Sequence, residues 1–142
     1  MTKRTTHIVF GIGISMLFTD ASDPVMLALA VAVAILGGTI PDWDSKASHR
    51  GTLHNIFALT LTSSIIMLTS NTVAFQKYAL STTLSYFLAY SSHLLLDLLT
   101  GNVKLLYPFN KKGFHLTKIK YDEPMINVVL LAFGILMILV KL

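Results

Sequence analysis

Side chains able to hold a metal or move a proton are few in this chain and recur in short stretches. The run PDWDSKASHRGTLHN at 41–55 holds Asp42, Asp44, His49, Arg50 and His54. HLLLD at 93–97 places His93 four residues before Asp97, one helical turn away, so both side chains share a face. His7 opens the first apolar stretch. Read singly, each has a plain alternative. PDWD alone is a solvated turn with a helix cap, Arg50 can sit among head groups, and a lone His7 is an interfacial histidine. An Asp in a membrane helix is different, since it costs about 2.5–3.5 kcal/mol on insertion scales and needs a partner. For Asp97 that partner is a metal ion or a His–Asp hydrogen bond that staples a bundle. The chain has no cysteine, so a metal must be held by imidazole and carboxylate. Such donors suit Zn²⁺ first, then Mn²⁺ or Fe²⁺. Their number is enough for one to two ions, and a two-ion site suits phosphoester hydrolysis.

The elements that position these groups are apolar. Hydrophobic residues make up 54% of the 142 and charged residues 13%, about half the charge usual in a soluble domain. A mean hydropathy of +0.67 agrees, and the chain reads as a membrane protein. The length fits one domain, 1–142. Apolar stretches at 7–19, 25–40, 53–71, 77–100 and 124–140 predict an all-α, integral-membrane bundle of about five helices. The fourth, at about 35 Å, spans a bilayer; the first, second and fifth reach about 20–25 Å and are short for a core of roughly 30 Å. GIGIS at 11–15 and the Gly37–Gly38 pair read as small residues for close helix packing, not as nucleotide loops. The first stretch lacks a convincing cleavage site and reads as a retained helix.

Loop charge orients the bundle. With five crossings, the N-terminus and the 41–52 and 101–123 loops share a side that carries nine Lys and Arg, against Lys77 and Lys141 opposite. The positive-inside rule makes that side cytoplasmic. Tyr107, Phe109, Phe114 and Tyr121, interleaved with lysines, read as an interfacial belt there. His7, Asp42, Asp44, His49, Arg50, His54, His93 and Asp97 then come to one membrane depth from four segments, while His115 reads as exposed. The net charge of +4 finds its natural counter-charge in anionic lipid, with no nucleic-acid reader motif in view.

TH at 6–7, PDWD at 41–44, HRGTLHN at 49–55, HLLLDLLT at 93–100 and LLYPF at 105–109 together resemble the YdjM-type inner-membrane, metal-dependent hydrolases. That group is similar in its His and Asp pattern to zinc-dependent phospholipase C and the P1-type nucleases, whose His-x-x-x-Asp elements share the HLLLD spacing. The resemblance implies metal roles for His7, Asp42, His54, His93 and Asp97. Asp44 and His49 are weaker ligand candidates, and Arg50 is a phosphate contact. The further His-x-x-x-Glu element of zinc phospholipases has no counterpart, because the only glutamate is Glu123.

The expectation is a membrane-bound, metal-dependent hydrolase at the cytoplasmic face of the inner membrane, multi-pass, with its N-terminus inside. Its expected substrate is a phosphoester of a lipid or lipid-linked molecule, with water activated by the ion. Asp44 or His49 would act as base and Arg50 would steady developing charge. Two rivals belong to other classes: a non-catalytic scaffold or regulator with a structural cluster, and a metal transporter. The transporter is disfavoured because its ligands usually lie near the bilayer midplane.

Overall fold

The computed structural model describes residues 4–44, 52–72, 75–117 and 123–142, the Asp44 side chain excepted. Five helices follow in order: α1 (Arg4–Leu17), α2 (Pro24–Thr39), α3 (Ile56–Ser70), α4 (Ala79–Thr100) and α5 (Pro124–Lys141). A 3-10 turn, Ile40–Asp44, continues α2, and another, Gln76–Tyr78, leads into α4. Local chemistry sets the starts. The Asp23 carboxylate accepts from the Val25 and Met26 amides at 3.0 and 3.2 Å, with Pro24 at the first helical position. Asn55 caps α3 by accepting from the Ala58 amide at 2.8 Å. Pro124 opens α5.

Helices α1, α2 and α4 pack on one another, α3 lies against α4, and α5 lies against α1. Small residues allow these approaches. A Cβ on Gly13 would stand 2.6 Å from the Gly134 carbonyl oxygen of α5, and one on Gly37 would stand 2.8 Å from the Tyr86 oxygen of α4. Both glycine stretches therefore serve packing. The α1–α4 seam is polar but satisfied: the Ser15 hydroxyl reaches the Gly11 and Ser85 carbonyls, and Thr19 donates to the Ser15 carbonyl.

The bundle buries Thr6, His7, Ser15, Ser85, Ser92, His93, Asp97 and Asn127 while it exposes Leu68, Leu80, Phe133, Leu136, Leu139 and Val140. Polar groups inside and large apolar groups outside suit lipid as the solvent. Residues 24–43 and 124–141 form helices long and apolar enough to cross a bilayer. Helix α4, with 22 residues, is long enough but carries a polar buried face. Helices α1 and α3, with 14 and 15 residues, extend only about 21–23 Å.

Residues 101–117 fold back as a strap, closed by an antiparallel bridge between Val103 and Phe114. The Leu105 carbonyl accepts from the Ile56 amide at 3.0 Å, and the Leu116 amide donates to the Leu98 carbonyl at 3.0 Å. The strap thus ties the start of α3 to the end of α4. Phe109 on it is 82% exposed, as is 65% of Trp43, while Tyr107 and Phe114 are half-buried. Tyr121 lies outside the described residues. Trp43 joins the exposed aromatic residues at this end, a role the sequence reading passed over.

Candidate metal centre

Helix α4 carries His93 and Asp97, buried on one face one turn apart. Helix α1 brings His7, the turn after α2 brings Asp42, and the segment ahead of α3 brings His54. Asp97 lies at the middle. Its Oδ1 is 3.1 Å from His7 Nε2, and its Oδ2 is 3.2 Å from His54 Nε2 and 3.5 Å from His93 Nε2. Asp42 Oδ1 stands 3.7 Å from His93 Nε2 and 3.9 Å from His54 Nε2. The His7 and His93 rings stack with centroids 3.9 Å apart. Asp97 is 1% exposed and His54 7%, and Asp42 is the half-buried member.

The local chain orients His93 and anchors the segment that carries His54. His93 Nδ1 lies 3.0 Å from the Gly38 carbonyl oxygen. A carbonyl only accepts, so Nδ1 holds a proton, and in the neutral ring the Nε2 lone pair faces the carboxylates. His54 sits just before the Asn55 cap. Asn55 Nδ2 donates to the Thr52 carbonyl at 2.8 Å, and the Tyr90 hydroxyl donates to the Leu53 carbonyl. The loop carrying His54 is thereby fastened to α4, one turn ahead of His93.

These residues fit a divalent ion. The Nε2 atoms of His7 and His93 and both Asp97 oxygens are buried without a hydrogen bond among the described residues, although they face one another closely. Donors around a tetrahedral zinc, bound at about 2.0–2.1 Å, stand roughly 3.3–3.4 Å apart. The nitrogen–oxygen separations here, 3.1–3.9 Å, bracket that edge. The sets His7, His93, Asp97 and Asp42, His54, His93 each bring three donor atoms within 4.8 Å of one another. Two carboxylates also balance one divalent charge.

Residues 1–141 match the family described as YdjM inner membrane protein. The chain belongs to the YdjM family. No curated protein and no solved structure matches it significantly. YdjM membership makes this an inner membrane protein, in accord with its exposed apolar side chains and the polar groups it buries. The family description gives a location and no reaction.

Of the eight residues singled out in the sequence, the structure brings together His7, Asp42, His54, His93 and Asp97. Asp44 ends the 3-10 turn, but its side chain is outside the described set, as are His49 and Arg50 entirely. His115 is exposed. One placement is corrected: the apolar stretch 53–71 sets His54 at the start of the third helix, but it lies ahead of it, because Asn55 takes the cap. The signal was present, since Asn before an apolar run is a helix start. The Gly38 carbonyl and the Tyr90 hydroxyl were not foreseen. Nothing in the residue types announces which backbone oxygen faces which ring.

Proposed function

We propose that this protein is a membrane-embedded, metal-dependent hydrolase that cleaves a phosphoester of a lipid or lipid-linked substrate at the cytoplasmic face. The observation that carries the reading is Asp97, a buried carboxylate in an apolar bundle. Three imidazoles from three segments turn toward it at 3.1–3.5 Å. His7, Asp42, His54, His93 and Asp97 would hold one to two ions, Zn²⁺ first among the candidates. Such an ion supplies Lewis acidity and a water acidified toward a pKa of about 7. The chain's own residues shape the rest. Asp42, the least buried ligand candidate among the described residues, marks the side from which a substrate reaches the centre. Asp44 and His49 are the candidates for accepting a proton, and Arg50 is the candidate for holding a phosphate oxygen through its planar fork. Trp43 and Phe109, exposed at the same end, favour a site at head-group depth, where lipid phosphoesters lie. The cytoplasmic orientation rests on the nine-to-two asymmetry of Lys and Arg.

The enclosure of the cluster favours a second reading, in which the ion only staples α1, α2 and α4 in a scaffold or regulator. One experiment separates the two. Phospholipids and generic phosphodiesters are offered to the purified protein with and without chelator, beside Asp44→Asn. Turnover that chelator stops and Asp44→Asn reduces by about 10²-fold or more supports the hydrolase. Tightly bound metal without turnover on any ester moves the assignment to the staple.

A further inference from the structure

Gly38 touches both sides of the centre, and it does so through backbone alone. Its carbonyl accepts the Nδ1 proton of His93 at 3.0 Å. It lies in the last turn of α2, and Pro41, three residues on, has no N–H with which to compete for that oxygen. The Cα of Gly38 faces α1, where a Cβ would stand 3.2 Å from Ile8 Cα and 3.4 Å from the His7 carbonyl oxygen. Gly37 faces the other way, toward Tyr86 and Tyr90 of α4. The glycine pair lets the end of α2 sink between the two helices that carry His7 and His93.

We infer that Gly38 is a positioning residue of the metal centre. Its carbonyl holds His93 in the Nδ1–H form with Nε2 turned inward, and its missing side chain sets how near His7 stands. The inference rests on the metal reading above. A methyl group at Gly38 presses on the backbone of Ile8, which has no flexible end to swing away, so α1 shifts by a few tenths of an ångström and carries His7 with it. Metal–ligand distances tolerate only about ±0.2 Å. Disturbed orienting partners lower metal affinity by roughly 10–100-fold.

The test uses the full chain in detergent with Co²⁺ as the probe. Gly38→Ala is compared with Gly134→Ala, whose Cβ would stand 3.0 Å from Phe10 Cα on the α5 side of α1. Chelator competition gives Co²⁺ affinity, visible absorption reports the ligand field, and thermal melting reports the fold. Expected for Gly38→Ala is Co²⁺ binding weaker by about 10–100-fold with a shifted visible band. Helix α5 packs chiefly on α1 and can yield outward, whereas α2 is held between α1 and α4, so Gly134→Ala should lose thermal stability yet keep the parent affinity and band. Parent-like affinity and band in Gly38→Ala overturn the inference, and so does an equal loss of affinity in both variants. If Gly38→Ala does not fold, ¹⁵N imidazole NMR of the unsubstituted, Zn²⁺-treated protein decides: a proton on His93 Nδ1 supports the inference, and a proton on Nε2 overturns it. An unsubstituted protein that takes up no Co²⁺ overturns the metal reading itself, and the inference falls with it.

Discussion

A carboxylate taken out of water into a membrane bundle stays charged only if something nearby replaces its hydration. Around Asp97 the neighbours are three imidazoles. One of them, His93, turns its Nδ1 proton to Gly38, so in the neutral ring its Nε2 meets Asp97 Oδ2 lone pair to lone pair. A metal ion between them, or a second proton on the ring, relieves that contact. Asp97→Asn therefore has two expected effects. Elemental analysis should find bound metal reduced at least about 10-fold, in line with loss of a central ligand. Chelator should lower the melting temperature of the parent protein, because bound metal stabilises only the folded state, and should leave that of Asp97→Asn nearly unchanged. His115→Ala, at an exposed site, should keep full metal content. Unchanged stoichiometry in Asp97→Asn would remove the assignment. At this scale the sequence was informative where chemistry is carried by residue type: His93 and Asp97 share a helical face by spacing alone. The Gly38 carbonyl could not be read, because a backbone oxygen looks alike at every position until the fold aims it.

The helices were legible for a different reason. Long apolar runs ended by Pro, Asn or Asp leave little choice of conformation, and the five runs fall on the five helices with ends displaced by a few residues. The short 3-10 turn at 40–44 and the bridged strap at 101–117 carry no such periodicity; the turn rests on α2 and α4, and the strap is tied to α3 and α4. The start of α2 shows how one residue sets an element. The Asp23 carboxylate accepts from the Met26 and Val25 amides and faces Lys77 Nζ at 3.4 Å. The Met26 hydrogen bond, helped by Lys77, holds its pKa below the usual aspartate value. A depressed folded value means the cap contributes fully above the ordinary pKa of about 3.9 and is lost as pH falls through the lowered one. Amide protection at residues 25–28 should thus drop on acidification below about pH 4. Asp23→Asn keeps a capping oxygen that does not titrate in this range, so its protection should be flat over the same window. An equal drop in both proteins would show that Asp23 is not the group responsible.

At the scale of the whole molecule, the question is how the bundle meets the bilayer. Helix α4 has 22 residues, so its ends are about 33 Å apart, close to the hydrocarbon thickness of roughly 30 Å. Lys77 precedes one end, while the strap with Lys111 folds back on the other. Helices α1 and α3 fall short of the hydrocarbon thickness, and α4 is shielded by three neighbours. The bilayer can therefore thin around the protein without exposing the polar face of α4. The absence of cysteine makes the test direct, since each introduced thiol is the only one present. With Lys111→Cys and Lys77→Cys in intact cells, a membrane-impermeant maleimide should label Lys77→Cys from outside. It should reach Lys111→Cys only after the inner membrane is opened. That outcome places the candidate metal centre, which shares the strap's end of α4, on the cytoplasmic side. Labelling of both positions from the same side would mean that α4 lies along the surface or dips partly into it. The five-crossing arrangement would then give way to a bundle seated in one leaflet.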